Sequence, residues 1–110
     1  MTSDEYQKNA LRTWTPEKFN TLEQLNCGAL GLCGESGEFA DHIKKAIFQG
    51  HKLDNDYMIK ELGDVLWYIA ITADALGVKL SEIMQINIDK LRKRYPNGFE
   101  KEKSIYRSVV

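Results

Sequence analysis

The sequence is poor in cysteine and has no excess of charge of either sign, and both features exclude classes of protein. Its two cysteines, Cys27 and Cys33, lie six residues apart in a segment with a helical pattern, so they face different sides of a helix and are poorly placed for a disulfide. We predict buried, reduced thiols. The net charge of -1 supplies no broad electrostatic surface for a nucleic acid polymer or an anionic membrane.

Long apolar runs and strand patterns are missing as well. No uncharged apolar run reaches the roughly 18 residues that a membrane-spanning helix needs, and the sequence does not open with a secretion signal. We therefore expect a cytoplasmic protein without a membrane segment. No alternation of apolar and polar residues predicts a strand, and 110 residues is the size of one domain. These features predict a single all-α domain over residues 1–110.

Helical periodicity with clear start and stop signals runs through most of the chain. Apolar residues recur at steps of three and four, and capping residues, prolines and glycines mark the ends of each run. The predicted boundaries are a first helix within residues 1–13, a second from Thr15-Pro16-Glu17 to about Phe48, a third from Asp54 or Asn55 to Leu76-Gly77-Val78, a fourth from Ser81 to about Arg94, and a turn and tail over 95–110. We predict a bundle of four to five helices, in which the second and third form an antiparallel hairpin because their connection is short.

The predicted second helix contains four glycines, at positions 28, 31, 34 and 37. Each costs about 1 kcal/mol of helix stability relative to alanine. This cost predicts that a neighbouring helix or a ligand approaches the backbone closely at the glycines, or that the helix kinks. We expect close packing beside the acidic residues that follow Gly34.

The predicted third helix carries two neighbouring stripes. The apolar stripe, which is expected to face the core, consists of Ile59, Leu62, Leu66, Ile69, Ala73 and Leu76. The second stripe consists of Glu61, Asp64, Tyr68 and Thr72. Because no charge occurs from Val65 to Ala73, this helix is predicted to be buried on more than one side, which in so small a chain implies a partner subunit.

Two acidic pairs share one spacing, Glu35 with Glu38 and Glu61 with Asp64. Residues three apart lie on one side of a helix, so the two carboxylates of a pair repel each other unless a cation or a proton lies between them. A set of oxygen ligands suits Mg²⁺ or Mn²⁺, and neither pair ends in histidine, as a ferritin-like di-iron site requires. The alternative is that the acids are solvated and pair with lysines. Counted from the connecting loop, the two pairs miss the same level by about one turn, an offset that loop geometry and long carboxylate side chains can absorb. A shared site within one subunit is therefore consistent with the count but not required by it.

The fourth helix adds a cationic stripe of Asn87, Lys90 and Arg94. Lysine and arginine can neutralise the charge of a polyphosphate that is bound through a metal ion. The alternative for the two cations is a solvated helix end that interacts with the helix dipole. Asn87 lies between apolar neighbours, which predicts a buried amide that needs a hydrogen-bond partner.

Several other residues are candidate substrate ligands with a structural alternative. Trp67 and Tyr68 could stack on a base or bond to a sugar, or they could belong to the core. Lys45 could reach a phosphate or form an exposed salt bridge. His42 could approach the metal or make a structural hydrogen bond, and Trp14 is a candidate hydrophobic staple or pocket wall.

Three ordered motifs carry a family resemblance. They are residues 31–38 (GLCGESGE), 61–68 (ELGDVLWY) and 87–99 (NIDKLRKRYPNGF), within a match that extends from Tyr6 to Arg107. Together they resemble the MazG-like nucleoside triphosphate pyrophosphohydrolases of the all-α NTP pyrophosphatase superfamily. The motifs are specific because all three occur, in order, across nearly the whole chain.

The resemblance implies an activity, a metal site and an assembly. Its magnesium site, in which Mn²⁺ could substitute, would consist of Glu35, Glu38, Glu61 and Asp64. Water would attack the α–β phosphate linkage of a nucleoside triphosphate and give a nucleoside monophosphate and pyrophosphate. The resemblance further implies a homodimer or homotetramer and a role in nucleotide-pool cleansing, and it leaves the identity of the nucleotide open.

We hypothesise that Glu35 or Glu38 accepts the proton of the attacking water. Lys90 and Arg94 would offset phosphate charge, and Asn87 would orient the substrate. The alternative function is a non-catalytic helical dimer that binds a nucleotide or a protein, with the acids as a structural metal site. A purely structural bundle, the third possibility, predicts no stabilisation by magnesium.

Overall fold

The structure, a computed structural model, describes residues 1–107, so the last three residues of the predicted tail lie outside the described residues. Its helices are α1 (Ser3–Ala10), α2 (Thr21–Phe48), α3 (Asn55–Ala75), α4 (Leu80–Arg94) and α5 (Lys101–Ile105). Two short 3-10 helices, Leu11–Thr13 and Pro16–Lys18, lie between α1 and α2. No strand occurs in residues 1–107, where the β-type pairing is one isolated bridge between Pro96 and Gly98. The all-α prediction is confirmed, and α5 lies within the predicted tail.

Most predicted helix ends agree with the structure. Asp54 caps α3, where its side chain accepts a hydrogen bond of 3.2 Å from the backbone N–H of Tyr57. Gly77 follows the end of α3 with a φ of +73°, a conformation that glycine adopts without steric cost. Helix α4 ends at Arg94, two residues before Pro96, as predicted. None of the helices in residues 1–107 combines the length and the apolar character that crossing a membrane takes.

The predicted start of the second helix at Thr15-Pro16-Glu17 is wrong. Asn20 caps α2: it accepts a bond of 2.8 Å from the backbone of Glu23, whose side chain accepts one of 3.0 Å from the backbone of Asn20. Thr15 makes no capping hydrogen bond, and the segment that follows it forms only a 3-10 helix. The reciprocal pair satisfies two backbone donors and is the stronger start signal. We call residues 11–20 the strap, because they cross from α1 to the beginning of α2.

The predicted cap of the fourth helix, Ser81, is also wrong. Helix α4 begins at Leu80, and side chains of α1 bond its first backbone N–H groups. Gln7 Oε1 accepts from Leu80 N at 2.8 Å, and Asp4 accepts from both the backbone and the hydroxyl of Ser81, at 3.1 and 2.8 Å. These hydrogen bonds to Ser81 lower the pKa of Asp4. The cap is therefore tertiary, which local sequence cannot reveal.

Helices α2 and α3 pack as the predicted antiparallel hairpin, in a register that differs from the prediction. A Cβ at Gly28 would overlap Thr72, and a Cβ at Gly31 would overlap the Tyr68 ring. Three residues along α2, from Gly28 to Gly31, are thus matched by four residues back along α3, from Thr72 to Tyr68. Continued along both helices, this register brings Glu35 and Glu38 level with Asp64 and Glu61. The predicted offset of one turn is wrong, because the connection folds back along the end of α2.

A hydrogen bond holds that returning connection in place. His42 Nε2 accepts from the backbone N–H of Asp54 at 2.9 Å, and the imidazole lies 4.7 Å from the Tyr57 ring. The predicted alternative of a structural histidine is therefore correct. Residues 49–54 run back beside the last turns of α2, which brings the start of α3 level with His42.

The four glycines of α2 differ in their surroundings. Gly28 and Gly31 are in close contact with α3, whereas nothing approaches within 4 Å of a Cβ built at Gly34 or Gly37. Helix α2 continues unbroken over 28 residues. The predicted close approach is therefore real, but it lies one to two turns before the acidic residues rather than beside them.

The core within one chain is small. Among the described residues, the buried apolar side chains are Ala10, Ala70, Ile71, Ala73 and Leu80. Most of the predicted core stripe of α3 is exposed, with Ile59 at 65%, Leu62 at 53% and Leu76 at 60% of full exposure. The stripe with the acids and Tyr68 faces α2 instead. The prediction of buried thiols is also wrong for Cys33, which is exposed, while Cys27 is half-buried; both are free.

Candidate functional site

Three carboxylates meet at the contact between α2 and α3. Glu35, Glu38 and Glu61 each offer one oxygen, and these oxygens lie within 4.8 Å of one another. Helical spacing places the first two on one side of α2, and the hairpin register brings Glu61 opposite them. In residues 1–107 they form the one group of three or more acidic, histidine or cysteine side chains with this geometry. We call it the acid cluster.

The acid cluster has more negative charge than its protein surroundings compensate. Glu35 Oε2 and Glu61 Oε2 are buried and have no hydrogen-bond donor among the described residues. A hydrogen bond with Glu35, burial, and the charges of Glu35 and Glu38 raise the pKa of Glu61 to about 7. Without a cation, Glu61 therefore keeps its proton up to a pH of about 7, whereas an ordinary glutamate loses it near 4.5.

The fourth predicted ligand, Asp64, lies beside this cluster. Its side chain is exposed and lines a cavity of about 350 Å³, whose wall also contains Glu35, Thr13, Trp67 and Tyr68. We call it the acid cavity. The cavity thus brings together two predicted metal ligands, Glu35 and Asp64, and the two predicted aromatic residues. Thr13 of the strap also lines it.

The acid cluster fits a hard divalent cation. Its donors are all carboxylate oxygens, two of them buried without a partner, and a cation between them removes the repulsion that otherwise keeps a proton on Glu61. Sulfur and nitrogen ligands, which softer metals prefer, are absent from this group of three. The arrangement can hold a cation and place it against a phosphate in the acid cavity.

Two tyrosines that lie close to the acids were not predicted as site residues from the sequence. Burial and then the charges of Glu61 and Glu38 raise the pKa of Tyr57, and burial and the charge of Asp64 raise the pKa of Tyr6. Tyr57 lies one helical turn before Glu61, so its spacing could have revealed it. Tyr6 comes from α1 and has no such local signal.

The residues predicted on the fourth helix remain apart from the acids. No hydrogen bond, ion pair or cavity found in residues 1–107 joins Asn87, Lys90 or Arg94 to the acid cluster. Asn87 is exposed, so the prediction of a buried amide is wrong: α4 contacts α1 and α3 mainly through its first turns, and its later turns are uncovered. Arg94 is half-buried, its Nε has no hydrogen-bond partner within residues 1–107, and its guanidinium lies 6.0 Å from the ring of Tyr95.

Lys45 and Trp67 make structural contacts in the single chain. Lys45 pairs with Asp41 at 3.0 Å, the exposed salt bridge that was the structural alternative. Hydrogen bonds from Lys44 and Lys45 lower the pKa of Asp41 to about 2. The Trp67 indole N–H donates to Ala10 O at 3.0 Å and to the Thr13 hydroxyl at 3.1 Å, so this side chain anchors the strap while one side of it lines the acid cavity.

The metal-free protein is expected to lose stability as the pH rises from about 5 to 8. The pKa of Glu61 is about 7 in the folded chain against an ordinary value of 4.5, so the folded state binds more protons between these values. The stability that this proton provides is fully present below pH 4.5 and is lost as the pH rises through 7. Thermal unfolding in a chelator measures it. The Glu61→Gln variant should show a much flatter profile, and an equally steep one would contradict the assignment to Glu61.

Comparisons with known proteins found a matching domain and similar proteins. Residues 26–99 match the MazG nucleotide pyrophosphohydrolase domain. The chain is 37% identical over 83 residues to the Gene 37 protein of Mycobacterium phage L5, which covers 72% of this chain and 73% of the phage protein. It is 47% identical over 41 residues to the uncharacterized protein YvdC of Bacillus subtilis (strain 168), which covers 37% of this chain and 39% of that protein. No solved structure gave a significant match. The matched domain contains all four acids and begins after the strap.

Proposed function

Because the chain belongs to the MazG nucleotide pyrophosphohydrolase family, we propose that it is a magnesium-dependent nucleoside triphosphate pyrophosphohydrolase. The observation that carries the proposal is the acid cluster, in which Glu35 and Glu61 each bury a carboxylate oxygen without a partner. Solvated surface acids would not bury carboxylate oxygens without a hydrogen-bond partner. A cluster that is costly without a cation is expected where a cation has a function.

In this proposal Glu35, Glu38, Glu61 and Asp64 hold Mg²⁺, for which Mn²⁺ can substitute. The chemistry that the cation supplies when bound is neutralisation of phosphate charge and a lower pKa for the attacking water. Glu35 and Glu61 are the more buried of the three clustered acids and act as fixed ligands. Asp64 lies at the exposed edge of the acid cavity, where it completes the set.

Glu38 is the best placed of the acids to accept the proton of the water. Its side chain is the exposed member of the acid cluster, whereas Glu35 and Glu61 each bury one carboxylate oxygen. The oxygen of water forms a bond to the α-phosphorus, the bond from this phosphorus to the α–β bridging oxygen breaks, and Glu38 takes the proton. The products are a nucleoside monophosphate and pyrophosphate, and the proposed role is nucleotide-pool cleansing.

The proposed substrate ligands Asn87, Lys90 and Arg94 would reach the acid cavity from a second copy of the chain. They are not joined to the acids within one chain, and their helix carries exposed apolar residues, among them Met84 and Ile88. In the same proposal Tyr68 and Trp67 contact the nucleotide from the cavity wall, and Lys45 exchanges Asp41 for a phosphate.

A homodimer or homotetramer is therefore expected in solution. The radius of gyration of the described chain is 17.0 Å, whereas a compact domain of about 100 residues has about 13 Å. A partner that covers the exposed residues Ile59, Leu62 and Leu76 would restore the missing core. Sedimentation equilibrium measures the mass, and a monomer of 12.6 kDa at micromolar concentration would contradict the expectation.

The test of the proposed function is release of pyrophosphate from a panel of nucleoside triphosphates with and without Mg²⁺. We expect release only with a divalent cation, and a reduction of about 10²-fold or more in the Asp64→Asn variant. Release that is independent of metal, or full activity in this variant, would refute the assignment. Nucleotide binding without turnover across all bases and metals would instead favour the non-catalytic dimer.

A further inference from the structure

One wall of the acid cavity comes from the strap, through Thr13, and a single side chain of α3 bonds this wall in place. No backbone hydrogen bond within residues 1–107 joins the strap to α3. Instead, the indole N–H of Trp67 donates to Thr13 Oγ1 at 3.1 Å and to the backbone oxygen of Ala10, the residue before the strap, at 3.0 Å. The hydrogen bonding that fixes this wall on α3 therefore depends on Trp67.

The packing of α1 on α3 brings these hydrogen bonds level with the proposed metal ligands. Gln7 Nε2 donates to Ala70 O at 3.3 Å, and three residues further along α1 the bonded position on α3 is Trp67, three residues back. Continued into the strap, this register brings Thr13 level with Asp64, and both residues line the acid cavity. The strap is thus bonded to α3 beside the fourth proposed ligand.

The hydroxyl of Thr13 is fully engaged in holding the strap. It donates its proton to Ala10 O at 3.1 Å while it accepts from the Trp67 indole. A threonine hydroxyl has one proton to donate, and the oxygens of an ionised phosphate only accept hydrogen bonds. The bonded hydroxyl therefore has no proton left for a phosphate, and its contribution at the cavity wall is to hold the strap rather than to bind the substrate.

Neighbouring rings hold Trp67 in the orientation that these bonds need. Trp14 lies edge-on to it at 6.1 Å and Tyr68 at 5.0 Å. Trp67 also follows Asp64 by three residues on α3, so the ring and the carboxylate lie on the same side of the helix, where both line the acid cavity. One side chain therefore bonds the strap through its N–H and lines the acid cavity.

We propose that Thr13 and Trp67 form a latch that holds the strap at the acid cavity, and that both are positioning residues for the phosphates of the nucleotide. This inference rests on the proposed function, which places those phosphates in the acid cavity. The closed latch fixes the width of the cavity beside Asp64, so the phosphates are held in one arrangement. The latch also ties the strap, which lies outside residues 26–99, to a residue within the matched domain.

Hydrogen exchange of the Trp67 indole N–H measures the latch without substrate or metal. The protein has two tryptophans, and the NMR signal of Trp67 is the indole signal that Trp67→Phe lacks. Thr13→Val keeps the shape of the side chain but not the hydroxyl, and it should raise the exchange rate about 3- to 10-fold, the effect of one hydrogen bond on an equilibrium. Thr13→Ser should restore slow exchange. An unchanged rate in Thr13→Val would overturn the latch.

Binding of a triphosphate that cannot be cleaved at the α–β linkage tests what the latch does. Calorimetry in Mg²⁺ with the α,β-methylene analogues of ATP, GTP, CTP and UTP identifies the tightest ligand. Thr13→Val should weaken its affinity about 3- to 10-fold, and Thr13→Ser should restore it. The affinity for Mg²⁺ alone should not change, because the acid cluster consists of other residues. Unchanged analogue affinity in Thr13→Val would refute the positioning role.

Thr15→Val is the matched control, because it makes the same change two residues further along the strap. Thr15 is exposed, makes no capping hydrogen bond and does not line the acid cavity. Its indole exchange and its analogue affinity should stay within about twofold of those of the unaltered protein. Circular dichroism and the melting temperature establish that each variant is folded.

A double variant tests whether the two residues act as one unit. Trp67→Phe removes the N–H and keeps an aromatic ring, so it opens the latch from the other side. Adding Thr13→Val to Trp67→Phe should therefore weaken analogue binding no further, because the bond between the two side chains is already lost. A further loss of about 3- to 10-fold in the double variant would show that the Thr13 hydroxyl acts independently of Trp67, which would refute the latch.

Turnover separates this proposal from the proposed function. If both are correct, Thr13→Val raises KM for the preferred triphosphate about 3- to 10-fold with a smaller change in kcat. Analogue affinity that depends on Thr13, in a protein that releases no pyrophosphate, would support the latch and refute the hydrolase. Pyrophosphate release with the same KM in Thr13→Val would support the hydrolase and refute the latch. If no analogue binds the unaltered protein, both proposals fail.

Discussion

Glu38→Gln is expected to lower kcat for pyrophosphate release by about 10²- to 10⁴-fold, the usual contribution of a group that accepts a proton in the transition state. The substitution keeps the size and most of the hydrogen-bonding capacity of the side chain but removes its charge and basicity. Glu38 is exposed, so the fold does not depend on its burial. Steady-state kinetics at saturating Mg²⁺ with the preferred nucleotide measure the effect, and KM should change much less than kcat.

Glu82→Gln is the matched control for this variant. Glu82 is an exposed glutamate in the first turn of α4 and does not line the acid cavity. Glu82→Gln removes one negative charge, as Glu38→Gln does, and its kcat should stay within about twofold of that of the unaltered protein. A Glu38→Gln protein with more than a tenth of the original kcat would exclude Glu38 as the proton acceptor, and the other acids of the cluster would then have to be tested.

Gly31→Ala is expected to destabilise the fold by about 1–3 kcal/mol, the usual cost of forcing an extra carbon into a packed contact. The added Cβ would overlap the side of the Tyr68 ring, which cannot turn away easily because Trp67 lies against it at 5.0 Å. The hairpin would have to separate at this level, and the acids would move apart with it. Denaturant titration gives the free energy of unfolding, and Mg²⁺-dependent stabilisation should weaken in parallel.

Gly34→Ala provides the opposite result on the same helix. Gly34 lies one turn further along α2, and nothing approaches within 4 Å of a Cβ at this position. Alanine restricts the unfolded chain and favours helix, so this variant should gain about 0.5–1 kcal/mol of stability. Equal changes in the two variants, of either sign, would show that the contact between Gly31 and Tyr68 does not hold the hairpin together.

The acid pairs illustrate how far local spacing leads. The spacing of Glu35 and Glu38 places them on one side of a helix whatever that helix contacts, so their closeness could be predicted. That Glu61 joins them depends on the hairpin register, which a count of residues from the loop misjudged by one turn. The register is decided by contacts at Gly28 and Gly31 and by the hydrogen bond of His42 to Asp54.

The apolar stripe of α3 shows what periodicity leaves open. Periodicity correctly identifies an apolar side containing Leu62 and Leu66, but periodicity cannot say what covers it. In the single chain α2 covers the neighbouring stripe, with Glu61 and Tyr68, and leaves much of the apolar side exposed. The sequence therefore predicted that this side is buried, and the tertiary structure shows that the chain itself does not bury it.

By itself, the sequence determined the helical class, the approximate extent of each long helix and the motifs of the MazG family, because all of these depend on interactions within a few residues or on ordered residue identity. Only the tertiary structure decided the caps that Asp4 and Gln7 provide for α4, the level of the acids across the hairpin, and the position of the strap beside Tyr68. Each of these joins residues far apart along the chain, and such contacts form only when whole helices pack against one another.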